Sequence, residues 1–302
     1  MSKAMKKWLI AAALLSASGL AVFTGSMAAL GFDFSKLSTM KYETNTYEVS
    51  GKFDKISIDS DITDIVFARS DDESCKVVCF EAERMKHSVG CTNNTLKICI
   101  TDERKWYDYI GVSFASPTMT VYLPQSEYTS LLIDTDTGDI DIPESFSFKE
   151  LEIVTDTGNV DCTANVSDII KIESDTGNIG ISSVASGCDI DIKTDTGSIK
   201  LTDSTCTDLT AESDTGDISL VNVAAVNRIC VESDTGNIKL KNSDAADLSL
   251  ETDTGDVTGT LLSEKIFIAK SHTGNVNVPK TRTGGICEII TDTGDIKIDI
   301  KT

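Results

Sequence analysis

Thr135-Asp136-Thr137-Gly138-Asp139-Ile140 is a phrase that the chain repeats, its glycine returning as Gly158, Gly177, Gly197, Gly216, Gly236, Gly255, Gly274 and Gly294. The spacings are 20, 19, 20, 19, 20, 19, 19 and 20 residues, a fixed period that marks a stacked repeat. Chemically the phrase is a turn. Glycine supplies a backbone conformation that a Cβ makes costly, and the Asp or Asn after it tolerates the same region. On both sides the pattern has period two: Leu151, Ile153 and Thr155 share a face before Gly158, and Val160 and Cys162 share one after it. The same offsets recur with Ile190, Ile192, Thr194, Ile199 and Leu201 around Gly197, and with Leu248, Leu250, Thr252 and Val257 around Gly255. Strand, tight turn, strand is the unit.

Independent hairpins need no fixed length, whereas a coil that must land on the previous coil does. The period therefore predicts an all-β chain whose residues 125–302 form a β-solenoid of stacked 19–20-residue coils. At ~4.8 Å per coil the nine coils make a rod roughly 40 Å long. Residues 31–124 read as an irregular β cap. Within it, 53–67 has the offsets of a degenerate first coil, with Ile56, Ile58, Ser60, Ile65 and Phe67 on one face and Thr63 in the glycine's place. Residues 75–79, 96–100 and 119–123 are further predicted strands, and the polar stretch 87–94 is a predicted connection. The aromatic residues Trp106, Tyr107, Tyr109 and Phe114 are expected to cover the open end of the core, with a binding patch as the alternative.

Residues 1–30 form a third segment. Lys3, Lys6 and Lys7 precede 23 uncharged residues, 8–30. That run is long enough to span the hydrocarbon core, and the lysines place its N-terminal side in the cytoplasm. A cleaved signal peptide competes, since Ser26-Met27-Ala28 is a small-x-small site, but the apolar run continues past it. Both readings export the remainder: the first gives a single-pass membrane protein, the second a secreted one.

Lys and Arg number 27 against 48 Asp and Glu, a net charge of −21. Nucleic acid is excluded as a main partner and acidic cell-surface partners are disfavoured, which leaves cations or basic surfaces. The nine cysteines are an odd count for an exported chain. Cys162 and Cys287 fall at inward positions and read as small core residues. Cys75 and Cys79 share a face of a predicted strand, but no His lies near them in sequence to complete a zinc set. A disulfide among Cys75, Cys79, Cys91 and Cys99 is the expected exception.

The chemistry most open to a ligand is a ladder of carboxylates. Asp136, Asp156, Asp175, Asp195, Asp214, Asp234, Asp253 and Asp292 hold one turn position, and Asp139, Asn159, Asn178, Asp217, Asn237, Asp256, Asn275 and Asp295 follow the glycines. Carboxylates ~4.8 Å apart repel, so they must be solvated, bonded to turn amides or bridged by cations. The preferred reading is that each Asp bonds an amide of its own turn, with no cofactor. Calcium is the alternative for the first set, although the G-G-x-G-x-D calcium repeat is absent. A catalytic reading needs a break in the pattern. His272 replaces the turn Asp in the eighth phrase and Arg282 lies in an extra Thr281-Arg282-Thr283-Gly284-Gly285 turn, but no base, nucleophile or acid pair is singled out by spacing. No enzyme is expected.

The T-D-T-G-[DN]-[IV] phrase at this period, with the closing Gly284-Gly285-Ile286-Cys287-Glu288-Ile289-Ile290-Thr291-Asp292-Thr293-Gly294-Asp295-Ile296, resembles the bacterial putative-adhesin β-strand-repeat family, also called a domain of unknown function. Leu30-Gly31-Phe32-Asp33-Phe34-Ser35-Lys36-Leu37 and Glu103-Arg104-Lys105-Trp106-Tyr107-Asp108-Tyr109 resemble its Firmicutes members. The resemblance covers nearly the whole chain and implies a membrane-anchored extracytoplasmic solenoid, with no catalytic residues. Two functions are compatible with it. One is a non-enzymatic surface rod for adhesion or protein contact. The other is an envelope sensor or accessory component, which would need a membrane partner because at most seven residues lie on the cytoplasmic side.

Overall fold

The computed structural model describes residues 3–33, 40–71, 74–106, 115–184 and 187–301. Tyr107, Tyr109 and Phe114 of the expected aromatic cover lie outside them, as do residues 34–37. The apolar N-terminus is one helix, α1 (Lys3–Ala29), and its stretch Met5–Ala29 is long and apolar enough to cross a membrane. The other regular elements are strands. The base contains β1 (Tyr42–Val49), β2 (Lys55–Ile62), β3 (Asp64–Arg69), β4 (Cys75–Ala82), β5 (Met85–Thr92), β6 (Thr95–Asp102) and β7 (Thr118–Leu123).

Each later coil gives one strand before its glycine corner and one after it. The first two coils are β8 (Glu127–Thr137) with β9 (Ile140–Ile142), then β10 (Ser147–Thr157) with β11 (Val160–Cys162). They are followed by β12 (Asn165–Thr176) with β13 (Ile179–Ser182), and by β14 (Asp189–Thr196) with β15 (Ile199–Thr202). Next come β16 (Thr205–Thr215) with β17 (Ile218–Val221), and β18 (Ala224–Thr235) with β19 (Ile238–Lys241). The last are β20 (Asp247–Thr254) with β21 (Val257–Leu261), β22 (Ile266–Thr273) with β23 (Val276–Asn277), and β24 (Ile286–Thr293) with β25 (Ile296–Ile300).

All these coils stack in parallel, so equivalent residues sit opposite each other: Ile153 beside Ile133 and Ile172, Ile199 beside Ile179 and Ile218. The alternation explains the interior. Residues on the inward face from Ile56 to Ile298 join one hydrophobic cluster. The corner explains the invariant period. A Cβ on Gly177 would lie 1.8 Å from the carbonyl oxygen of Gly158, and one on Gly216 2.0 Å from that of Gly197. Stacked corners approach so closely that only hydrogen fits there. Beside the corner the last inward residue is a hydroxyl; Thr194 donates to the Gly177 carbonyl (3.1 Å) and Ser213 to that of Gly197 (3.0 Å), whereas those of Thr155 and Ser174 have no partner among the described residues.

A second corner, not anticipated from the sequence, turns each coil back. Ser183, Asp203, Asn222 and Asn242 adopt φ of 63°, 49°, 55° and 52°, and Asn222 and Asn242 donate in turn to Asp203 (2.7 Å) and Asn222 (3.1 Å). Short polar side chains tolerate this left-handed region and bond along the stack.

At both ends spatial order departs from chain order. At the base, β2 and β3 do begin the stack, as the degenerate coil predicted, but β6 and β7 lie on their outer side and pair with them in parallel. Stretch 87–94, read as a connection, is mostly strand β5, antiparallel to β6 through a tight turn at Asn93 and Asn94 with φ of 52° and 63°. Strands β5 and β4 pair antiparallel with β6 and β7, and β1 with β4, so the base is covered. At the other end the coils are not in sequence: β24 pairs with both β20 and β22, and β25 with both β21 and β23. The final coil of the chain is inserted below the one that precedes it. Residues 262–285 therefore form the tip.

Candidate functional site

Two columns of polar residues flank the glycine corner, and they do different things. The residues after the glycines are bonded from coil to coil. Asp139 Oδ1 accepts the Asn159 backbone amide (2.8 Å) and side-chain amide (3.0 Å), and Asn159 Oδ1 accepts the same pair from Asn178 (3.1 and 3.0 Å). Asp217 Oδ1 bonds Asn237 likewise, and the run Asn237, Asp256, Asp295, Asn275 follows the inserted order of the last coils. The Asn237 amides hold the Asp217 carboxyl below its ordinary range, outweighing partial burial.

The residues before the glycines were expected to bond the amides of their own turns, and the geometry is different. Asp136, Asp156, Asp175, Asp195, Asp214, Asp234 and Asp253 are exposed, and none has a side-chain hydrogen bond among the described residues. Extended backbone through the corner aims these carboxylates outward, away from the turn amides. Only Asp292 has a partner, His272 Nδ1 of the tip coil at 2.7 Å, with both side chains more than half exposed. His272 and Arg282 are thus surface residues. Among the described residues no nucleophile is positioned beside them.

The column of like charges yields a stability prediction. With no bond to lose, replacing Asp214 and Asp234 by Asn relieves repulsion, and in chelator the double variant is expected to melt no lower than the parent. Millimolar calcium is expected to shift neither melting temperature much. A large calcium-dependent rise in the parent that vanishes in the variant would instead make the column a metal site.

The cap brings together residues that sequence reasoning left apart. Ser60, at the inward hydroxyl position of the first coil, meets His87 Nε2 at 3.1 Å, and His87 Nδ1 lies 2.7 Å from Glu81 Oε2. Glu81 also accepts the His87 backbone amide (2.7 Å), the Asn45 side-chain amide (2.8 Å) and the Tyr47 hydroxyl (2.5 Å). Burial alone would raise the Glu81 carboxyl, but these bonds hold it below its ordinary value. Ser, His and Glu in this order are the groups of a hydrolytic relay. Ser60, His87 and Glu81 are 3%, 4% and 2% exposed, which leaves a substrate no approach.

Cys79 completes a second constellation, since its Sγ, a Glu81 oxygen and a His87 nitrogen lie within 4.8 Å of one another. The absence of a nearby His in sequence thus misled, because β5 carries His87 across the cap. Both Glu81 oxygens and both His87 nitrogens are already hydrogen-bonded, so an ion would have to displace these bonds. The arrangement is that of a satisfied plug at the base of the core. All nine cysteines are thiols, so the disulfide expected in the cap is not formed. Cys75 and Cys79 face inward on β4, while Cys99 is opposite Ser88 on β5. Burial pushes the Cys75, Cys79, Cys162, Cys188, Cys206 and Cys287 thiols up to about 12, which makes them poor nucleophiles.

A parallel β-solenoid with a covered base, an open tip and an apolar N-terminal helix is the class these observations define. The chain belongs to the Toastrack DUF4097 family, which matches residues 53–240 and 188–302. No curated protein matches it. Among solved structures, a putative adhesin from Parabacteroides distasonis shares the fold, with a TM-score of 0.55 at 12% identity over 86% of this chain and 98% of its own. A putative adhesin from Bacteroides fragilis aligns at 17% identity over 85% of this chain and 97% of its own, TM-score 0.44. A structure described as a putative lipid binding protein from Parabacteroides distasonis aligns at 14% identity over 86% and 98%, TM-score 0.39.

Proposed function

We propose that this protein is a non-enzymatic extracytoplasmic rod, anchored in the cell membrane by residues 8–30, that presents its solenoid for adhesion or protein contact. Residues 1–30 act as anchor, 31–124 as base and 125–302 as the presented rod. The observation that carries the reading is the order of parts: the apolar helix α1 leads into the covered end of the stack, and the uncovered coil lies at the other end. The buried relay of the cap and the high thiol pKa values support a non-enzymatic role.

Fractionation tests the anchor. If α1 is retained, the protein stays with membranes after carbonate washing and its N-terminus is at or next to Met1. A soluble species beginning near Ala29 would make it a secreted protein instead.

A further inference from the structure

The net charge of −21 argues against acidic partners for the chain as a whole, but the charge is not evenly distributed. The tip coil, residues 262–285, contains Lys265, Lys270, Lys280 and Arg282 against Glu264 alone, and no aspartate. Lys265 is buried against Asp244 at 2.7 Å. Lys270, Lys280 and Arg282 are exposed, with no ion pair among the described residues. His272 stands where the other coils carry an exposed aspartate. The acidic flank of the rod ends in a basic coil.

The same coil is unfinished as a piece of secondary structure. β22 pairs only with β24 and β23 only with β25, so the backbone groups on the outer edge of both have no ladder partner among the described residues. The core columns also run out into solvent here. Val276 is 44% exposed, whereas Val257 and Ile296 of the same column are 0% and 1% exposed. Phe267 and Ala269, beside the buried Cys287 and Ile289, and Val278 are only partly covered; on the outward face of the same strand Ile266 and Ile268 are 43% and 52% exposed. At the opposite end, antiparallel strands continue from β6 and β7 over the base of the core.

We propose that the tip coil is a docking edge for an extended acidic polypeptide segment, which adds as a further strand and covers the apolar column. The inference deepens the contact role proposed above and rests on it. A free backbone edge selects a strand over a headgroup or a polysaccharide, and three unpaired cations select acidic side chains on that strand. A second copy meeting tip to tip about a two-fold axis fits poorly, because it would bring these cations together. The inner coils are already paired on both sides.

The test uses the full chain in nanodiscs of neutral lipid, with a labelled synthetic peptide of alternating valine and threonine flanked by glutamates. Its counterpart carries lysines in place of the glutamates. The glutamate peptide is expected to bind and to protect the amides of 266–277 from hydrogen exchange, and the lysine peptide to bind at least about tenfold more weakly. The variant Lys270→Glu/Lys280→Glu/Arg282→Glu, whose native side chains make no ion pair among the described residues, is expected to reverse that preference while keeping the parent's melting temperature. Equal binding of both peptides, or binding unchanged by charge reversal, overturns the proposal. So does binding of neither, in which case the lysines serve to keep an open edge from aggregating. Capture of phosphatidylglycerol vesicles without capture of peptide would replace the strand by an anionic surface. Membrane fractionation is read separately, so an anchored protein that binds no peptide sinks this inference alone, and a soluble one sinks the anchor alone.

Discussion

Gly216→Ala is expected to lower unfolding stability by about 2–4 kcal/mol, while Gly180→Ala leaves it within about 0.5 kcal/mol of the parent. Both glycines lie near the repeated corner, and they differ in what a methyl group would meet. At Gly216 the added Cβ falls 2.0 Å from the Gly197 oxygen and 2.5 Å from its carbon, backbone atoms fixed by the stack, with φ at 157°. At Gly180 it falls 2.5 Å from the Asp161 Oδ1, the end of a side chain that can rotate away. The corner clash cannot relax locally, because moving Gly197 would press it on Gly177, whose oxygen is 1.9 Å from the Cβ position of Gly197. Urea midpoints of the two variants check the contrast. Equal midpoints would mean that the corners are not stacked as described.

Glu81→Gln is expected to destabilise by about 3–5 kcal/mol at neutral pH, the cost of breaking a buried charged network from one side. Four donors converge on the Glu81 oxygens, from His87 N, His87 Nδ1, Asn45 and Tyr47. A glutamine offers one oxygen and turns an N–H₂ group toward some of these buried donors. Because its folded carboxyl is held below the ordinary value, Glu81 contributes stability above the pKa of the unfolded chain. That contribution is lost as pH falls through the folded pKa, so the gap between parent and variant should close in acid. Glu232 behaves oppositely. Burial and its neighbours Glu212 and Glu251 raise its carboxyl, so the folded state gains from protonating it as pH falls. A gap for Glu81→Gln that stays constant into acid would place the cost in packing instead of charge.

The repeat was legible because it obeys one rule at every coil. Period-two apolar residues gave the strands, and the spacing of glycines gave the stack. The parts that escaped have local reasons. Asp203, Asn222 and Asn242 form a second corner at spacings of 19 and 20 residues, but with a variable residue and no glycine they leave no phrase to notice. Strand β5 was hidden by His87, Ser88 and Gly90, which are polar or small because one of them plugs the core and the others face outward. Asn93-Asn94 was the available hairpin signal. The two aspartate columns carry the same residue type, and only the direction of each side chain separates a bonded ladder from a solvated one. Insertion of the last coil is invisible to periodicity, since β22 and β24 carry equivalent phrases and either fits above β20. The extra turn at 281–285 and the loss of acid from 262–285 were the traces it left.

That insertion makes the basic coil the tip, and one cross-linking experiment tests it. Glu251 is opposite Ile290, and Ile290 is opposite Lys270, so Glu251 and Lys270 are two steps apart. Adjacent positions at ~4.8 Å suit a disulfide, whereas two steps, roughly 10 Å, exceed what one spans. Under mild oxidation Glu251→Cys/Ile290→Cys is expected to form the bond, read by mass spectrometry of the linked peptides, and Glu251→Cys/Lys270→Cys to remain reduced. A disulfide in the second variant and none in the first would show that the coils stack in chain order and that the basic coil is interior.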